Sequence, residues 1–326
     1  MFVNIDEIFF IKKKITQKKL KKCISIISNQ KNSKILNIKE IYESYNLKKI
    51  NFPHEIKEKD IDVIIKTKFN KDYKYINLNK SLILCKENKK IKSTLKKVYY
   101  YKVDKTKFFP KTYLLRKIVF QKLAKGKIYI PNNLSEFDSS LLSNIAFLVN
   151  KLSLRNNSKI EVSTYLNLNK FDKKVDKLNS KIISVFTEFL KKNLQETIRL
   201  SLTHGDFKFE HLFLIKGKLE YVIDWDCIGV RSIFFDVMNF FIPWFQKRSY
   251  DYFEIKEYIL KFIKKYIPSL QNDIRNKYEV YFSIYALERY KRIQNGRTSK
   301  FDINAAHKRY NLLFKNFVTK NRGINF

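Results

Sequence analysis

The sequence predicts an α+β protein with two lobes, a mixed N-terminal lobe at residues 1–127 and a mainly helical C-terminal lobe at residues 128–326. The N-terminal third combines short helical stretches with short apolar, β-branched runs that are typical of strands. From Ile233 onward the apolar residues recur at helical spacing. The chain has 326 residues, of which 44% are apolar, which is enough for one or two cores of ordinary domain size.

The elements of the N-terminal lobe are short. Residues 38–45 and 90–102 are predicted to be helical, and residues 61–65 and 82–84 are predicted to form strands. Gly126 is the first glycine of the chain, so this lobe contains no glycine-rich loop.

Helical periodicity accounts for most of the C-terminal lobe. Ser135 and Asp138 form a capping-box pattern ahead of an apolar stripe and mark the start of a helix at residues 135–152. Two strand-like runs, residues 212–215 and 219–223, flank Gly217 and predict a β-hairpin. The remaining predicted helices are residues 173–193, 235–246, 252–266, 274–293 and 303–318.

The chain is strongly basic, since 67 lysines and arginines against 31 acidic residues give a formal net charge of +36. Such a charge attracts polyanions. The lysines are nevertheless spread through nearly every segment, together with many Asn, Ile, Phe and Tyr residues, as an AT-rich genome would produce. We therefore favour composition bias over an anionic partner such as RNA, lipid headgroups or phosphorylated substrates. Nucleic-acid binding is compatible with the charge but is not favoured.

Cysteine usage and hydropathy indicate a cytoplasmic protein. Cys23, Cys85 and Cys227 are odd in number and far apart, which suits neither a disulfide framework nor a metal site. No apolar run reaches the roughly 18 residues that cross a bilayer, and the N-terminal segment lacks the features of a secretion signal. We expect no transmembrane segment.

The residues best suited to chemistry lie in one segment, "LTHGDFKFEHLFLIKGKLEYVIDWD" at residues 202–226. Asp206 precedes the predicted hairpin, His211 leads into its first strand, and Asp224 follows its second strand. Because a hairpin brings its outer ends together, we predict that the three side chains converge. Two carboxylates and an imidazole can hold a divalent cation and accept a proton, as phosphoryl transfer requires. A zinc hydrolase is not favoured, since the spacing of His204 and His211 fits no known zinc signature.

The "HGDF" and "VIDWD" motifs at this spacing resemble the aminoglycoside phosphotransferase and choline kinase family, which has a protein-kinase-like fold. The resemblance is good over residues 202–241. It implies that Asp206 is the catalytic base that orients the acceptor hydroxyl, that His204 braces the loop, and that Asp224 binds metal. Asp236 in "FFDVMNFF" would hydrogen-bond the catalytic loop, and Asp226 would support the site rather than coordinate metal directly.

His211 departs from the usual pattern. The family commonly has an asparagine metal ligand there, although members that resemble macrolide phosphotransferases carry histidine. The resemblance thus gives His211 a metal-binding role. Imidazole is a poorer ligand for Mg²⁺ than oxygen is, so the implied cofactors are ATP and Mg²⁺, with Mn²⁺ as an alternative. The implied acceptor is a small-molecule hydroxyl of a sugar, an amino alcohol or an antibiotic-like compound.

The nucleotide-binding part of the family pattern is weak here. Members use a strand lysine that pairs with a helix glutamate, and we select Lys86 as the phosphate-binding lysine, with Lys66 and Lys102 as alternatives. The helix at residues 90–102 contains no glutamate. Phe109 and Pro110 resemble the approach to a hinge between lobes.

Two other functions stay open. The chain could be a catalytically inactive kinase-like binding protein, because the glycine-rich loop is missing and histidine stands at position 211. A basic RNA-binding protein is the weaker alternative, since it rests on net charge alone.

Overall fold

The computed structural model describes residues 5–10, 63–67, 73–77, 82–86, 89–115, 118–122, 128, 130–169 and 177–294. The helices predicted at residues 38–45 and 303–318 lie outside these residues. The chain divides into two compact units, one formed by Met1–Phe137 and Phe209–Cys227 and the other by Asp138–Lys208 and Ile228–Phe326. The lobe boundary after residue 127 stays a prediction.

The first unit is built on an antiparallel sheet of six described strands. Their order across the sheet is β1-β2-β3-β4-β6-β5. The predicted strands at residues 61–65 and 82–84 correspond to β2 and β4. The bounds are β1 Ile5–Phe10, β2 Val63–Thr67, β3 Tyr73–Asn77, β4 Leu82–Lys86, β5 Thr112–Leu115 and β6 Ile118–Lys122.

Helix α1, Lys89–Tyr100, follows β4 directly. Its apolar residues recur at three- and four-residue steps, so they share one face of the helix. Ile91 and Leu95 on this face form a buried cluster with Cys85 of β4 and Val119 of β6. The cluster fixes α1 on the sheet.

The predicted hairpin is confirmed in the first unit. Strands β9, Leu212–Ile215, and β10, Lys218–Val222, are antiparallel neighbours. The turn residues Lys216 and Gly217 both have positive φ, 50° and 76°, as a tight two-residue hairpin turn requires. A 3-10 turn, Phe209–His211, precedes the hairpin, and another, Trp225–Cys227, follows it.

The second unit contains a three-stranded antiparallel sheet and the helices of the C-terminal region. The sheet order is β11-β8-β7, and its central strand β8 ends at Thr203, directly before the "HGD" residues. The strands are β7 Ser158–Glu161, β8 Thr197–Thr203 and β11 Gly229–Ser232, and the helices are α2 Ser139–Ser153, α3 Val162–Asn169, α4 Lys177–Lys191, α5 Phe235–Gln246, α6 Tyr252–Tyr266, α7 Gln271–Arg275 and α8 Tyr278–Gln294.

Several predicted helix boundaries differ from the structure, and two of the differences have a clear cause. Helix α2 begins at Ser139 with Asp138 as its N-cap, because the Asp138 carboxylate accepts the Leu141 N–H at 2.6 Å. Ser135 belongs instead to a separate 3-10 turn. The helix predicted at residues 274–293 is divided into α7 and α8, and the break falls at Asn276.

Aromatic side chains from α5, α6 and α8 form much of the core of the second unit. Phe241 of α5 packs edge-on against Phe262 of α6 with ring centroids 4.9 Å apart, and Tyr252 of α6 packs against Phe282 of α8 at 5.1 Å. No helix in the described part of the chain has both the length and the apolar character needed to cross a membrane.

Candidate active site

The "HGD" loop is fastened to the start of α5 by Asp236. The Asp236 carboxylate accepts the backbone N–H of His204 at 2.6 Å and that of Gly205 at 2.8 Å. Gly205 has a φ of 81°, a left-handed conformation that glycine adopts without steric cost. The first residues of the loop are therefore fixed before any side chain of the site is considered.

Asp236 is a buried carboxylate whose charge is only partly compensated. Burial raises its pKa above the ordinary carboxyl value, while the neighbouring His204, the two donated N–H groups and Arg231 act in the opposite direction. Its position agrees with the loop-supporting role that the family resemblance implies. Arg231 also donates to Thr203 at 2.8 Å, one residue ahead of the loop.

A second anchor of the loop was not predicted. Asn239, one turn after Asp236 on α5, donates from Nδ2 to the carbonyl oxygen of Phe207 at 2.9 Å. Residues at i and i+3 share a helix face, so Asp236 and Asn239 approach the same loop. The sequence did contain a signal for this second anchor, because Asp236 and Asn239 are polar residues three positions apart within the apolar stretch "FFDVMNFF".

His204 is buried and contacts the loop through its own ring. Its Nδ1 accepts the backbone N–H of Asp206 at 3.3 Å, and its ring is tilted against Phe207 with centroids 5.9 Å apart. In this arrangement the imidazole supports the backbone that carries Asp206.

Asp206 is partly buried, with a side-chain exposure of 24%, and is flanked by two cations. Lys208 Nζ lies 3.0 Å from Asp206 Oδ2, and an Arg289 guanidinium nitrogen lies 4.0 Å from Oδ1. The contact with Lys208 could have been predicted, because Lys208 is close to Asp206 in sequence. Arg289 lies on α8, and no local sequence pattern connects that helix to the loop.

His211 and Asp224 meet at the open end of the hairpin. The Ile223 N–H donates to the His211 carbonyl at 3.0 Å, and His211 Nε2 lies 3.4 Å from Asp224 Oδ2. His211 has an exposed fraction of only 2%. Asp224 has a φ of 62°, in the left-handed region that is uncommon for residues other than glycine.

Two side chains at the open end of the hairpin could hold a cation. His211 Nε2 and Asp224 Oδ2 lie 3.4 Å apart. A carboxylate oxygen and an imidazole nitrogen suit Mn²⁺ and, with a less favourable nitrogen ligand, Mg²⁺. The residues present thus fit a divalent cation.

Asp226 has partners on helix α1. Lys90 Nζ forms an ion pair with Asp226 Oδ2, and Thr94 Oγ1 donates to Asp226 Oδ1 at 3.4 Å. Neither contact was predicted from the sequence.

The structure locates the backbone of each phosphate-binding candidate. Lys86 is the last residue of β4 and lies opposite Ile118 of β6 in the sheet register. Lys66 lies in β2. Lys102 follows α1 and has a left-handed φ of 54°.

Trp225, Trp244, Tyr285 and Tyr290 are of the residue types that can bind a cationic acceptor through their rings, but the first three are core residues. Trp225, Trp244 and Tyr285 are all buried, and an Arg248 guanidinium stacks 3.9 Å from the Trp244 ring centroid. The Tyr290 side chain lies outside the described part of the chain.

Comparison with protein families gives one match. Residues 163–259 match the sequence model of the phosphotransferase enzyme family. The matched range contains the "HGD" loop, the hairpin, Asp224 and helix α5. No curated protein sequence matches the chain.

Solved structures of similar fold include two kinases that act on antibiotics by name. An amicoumacin kinase in complex with AMP-PNP and Ca²⁺ has a TM-score of 0.51 at 12% identity, over 77% of this chain and 88% of that chain. A thermostable mutant of the aminoglycoside phosphotransferase APH(4)-Ia, in its apo form, has a TM-score of 0.52 at 13% identity, over 81% of this chain and 94% of that chain. The predicted resemblance is confirmed: the chain resembles the aminoglycoside phosphotransferase and choline kinase family and has its α+β, two-lobed, protein-kinase-like fold.

Proposed function

We propose that this chain is a small-molecule kinase that transfers the γ-phosphoryl group of ATP to a hydroxyl of a small acceptor. The match to the phosphotransferase enzyme family supports the reaction class. The observation that carries the proposal is the pair formed by His211 and Asp224 at the open end of the hairpin, with Nε2 3.4 Å from Oδ2. This pair offers cation ligands, and Asp206 in the "HGD" loop offers a proton acceptor, as phosphoryl transfer requires.

Asp206 is the proposed base. Its carboxylate accepts a hydrogen bond from the acceptor hydroxyl, orients the hydroxyl oxygen toward the γ-phosphorus, and takes up the proton as the new P–O bond forms. The bond from the γ-phosphorus to the β–γ bridging oxygen breaks in the same step, and ADP leaves. Asp236, Asn239 and His204 hold the backbone on both sides of Asp206. A base in a fixed loop does not need to be reorganised during the reaction.

His211 and Asp224 are the proposed cation ligands. Divalent cations bound there would neutralise the charge of the nucleotide phosphates during in-line transfer. Mg²⁺ is the ordinary partner of ATP, and the imidazole of His211 makes Mn²⁺ a second candidate.

ATP is the proposed donor. The amicoumacin kinase of similar fold was solved with AMP-PNP, an ATP analogue, which supports a nucleotide-binding role for the fold. We assign the phosphate contact in the first unit to Lys86, at the end of β4. The reaction is proposed to take place in the cytoplasm, in agreement with the odd number and wide spacing of Cys23, Cys85 and Cys227.

The test compares Asp206→Ala with the unaltered chain in ATP turnover and ATP binding. Removal of the base should lower turnover at least about 100-fold and leave nucleotide affinity largely unchanged. Turnover is measured with Mg²⁺ and with Mn²⁺ against sugars, amino alcohols and antibiotic-like acceptors. Asp104→Ala, at an exposed aspartate in the turn after α1, is the matched control and should keep full turnover. Loss of ATP affinity in Asp206→Ala would show that Asp206 is misassigned.

An inactive kinase-like binding protein is the second candidate, favoured specifically by histidine at position 211 in place of the usual asparagine. If this candidate is right, the unaltered chain binds ATP but does not turn it over, whether Mg²⁺ or Mn²⁺ is present. The same assays therefore separate it from the enzyme.

A further inference from the structure

Helix α1 and the turn after the hairpin are joined by side chains that have no part in the proposed chemistry. Lys90 and Thr94 are one helical turn apart and lie on the same face of α1. Lys90 contacts one carboxylate oxygen of Asp226 and Thr94 donates to the other, at 3.4 Å. The helix thus supplies the cation of this pair and the hairpin turn supplies the anion, the reverse of the strand lysine and helix glutamate that the family resemblance implies.

The helical side of this contact is firmly placed. Ile91 and Leu95, which lie between and beside the two contact residues in sequence, are buried in a cluster with Cys85 and Val119 of the sheet. Packed apolar side chains resist displacement because a shift would open a cavity or force an overlap. Asp226 is therefore bound to an element that is itself fixed.

The hairpin side of the contact lies next to a residue under backbone strain. Asp224 has a left-handed φ of 62°, a conformation that is sterically unfavourable for a residue with a Cβ atom. Such a conformation persists where the surrounding residues enforce it. Trp225 is one restraint, since it is buried and its indole N–H donates to the Val222 carbonyl at 2.7 Å.

We propose that Lys90 and Thr94 are positioning residues of the cation site, which hold Asp226 so that Asp224 keeps its left-handed conformation beside His211. Asp226, two residues after Asp224, is the second restraint on this strained residue. The proposal rests on the proposed function in one respect, namely that Asp224 is a cation ligand. Lys90 also compensates the charge of Asp226, whose side chain is only 14% exposed. Without that cation the carboxylate would turn toward solvent and release the restraint.

The test measures Mn²⁺ binding to the full chain without nucleotide, by the electron paramagnetic resonance signal of free Mn²⁺. Loss of a side chain that orients a metal ligand typically weakens metal affinity by about tenfold or more. Lys90→Met should therefore raise the Mn²⁺ dissociation constant about tenfold. Thr94→Val should act in the same direction with a smaller effect, and Lys90→Arg, which keeps the ion pair, should bind as the unaltered chain does.

Lys92→Met is the matched control, because Lys92 is an exposed lysine on the same helix. It should leave Mn²⁺ binding unchanged. Thermal unfolding of each variant shows whether it is folded. If Lys90→Met does not fold, Thr94→Val and Asp226→Asn carry the test.

A double-mutant cycle shows whether Lys90 acts through Asp226. If it does, Lys90→Met combined with Asp226→Asn should bind Mn²⁺ no more weakly than the weaker of the two single variants. Fully additive losses would overturn the proposal. A higher KM for ATP in Lys90→Met with unchanged Mn²⁺ affinity would also overturn it, since Lys90 would then be a phosphate ligand.

Failure of the inference and failure of the proposed function give different results. Equal Mn²⁺ affinity of the unaltered chain, Lys90→Met and Thr94→Val refutes the positioning role and leaves the proposed function intact. Absence of Mn²⁺ binding and of ATP turnover in the unaltered chain refutes the cation site, and both proposals fall with it.

Discussion

We expect the His211 side chain to determine which cation the proposed site prefers. His211→Asn replaces an imidazole nitrogen by an amide oxygen, and oxygen is the ligand that Mg²⁺ favours. We expect the ratio of Mg²⁺-supported to Mn²⁺-supported turnover to rise about tenfold, measured as kcat/KM for ATP with each cation. The ratio is internally controlled, because the cavity left at this buried position affects both measurements equally. An unchanged ratio would mean that His211 is not a cation ligand.

The sequence contains the residues of the candidate site in one continuous segment, and for that reason they could be selected together. The predicted hairpin begins after Asp206 and His211 and ends before Asp224. Its glycine turn is visible in the sequence, so the hairpin could be predicted. Arg289 contacts Asp206, and Lys90 contacts Asp226. Both cations lie on helices that are distant in sequence from their partners. Such contacts depend on how helices pack, and no local spacing encodes them.

Helix α5 supports the "HGD" loop through Asp236. Asp236→Ala would leave the buried N–H groups of His204 and Gly205 without their acceptor, at a cost of about 1–3 kcal/mol each. We expect a clear fall in Tm, and turnover lost together with it. Asp251→Ala is the control, because this exposed aspartate caps α6 and its loss should cost only about 1 kcal/mol without affecting turnover. Equal effects of the two substitutions would refute the role given to Asp236.

Helices with clear ends were predictable and interrupted ones were not. Helices α5 and α6 have the predicted bounds, and a capping box at Asp251 and Glu254 marks the start of α6. Apolar residues continue at helical spacing through residues 274–293, which concealed the break at Asn276 between α7 and α8. Periodicity reports which face of the chain is buried, and a short break that preserves the face leaves the pattern intact.

The fold class followed from the order of strands and helices along the chain. The six-stranded sheet lies in the first unit, and most of the described helices lie in the second. The net charge of +36 carries no information about this fold, because charge acts on solubility and association rather than on topology. The net charge instead affects how the protein behaves at different salt concentrations.

The net charge predicts that salt stabilises this protein and weakens its attraction to polyanions. Self-repulsion among 67 basic residues opposes the compact state, and salt screens it, with a Debye length of about 10 Å at 0.1 M. We expect Tm to rise with sodium chloride, whereas a nonionic osmolyte of equal osmolality controls for effects unrelated to charge. In filter binding, affinity for RNA should fall steeply between about 0.05 M and about 0.2 M salt, equally for unrelated sequences. A preferred RNA sequence whose binding persists at the higher salt concentration would refute composition bias and support a nucleic-acid partner.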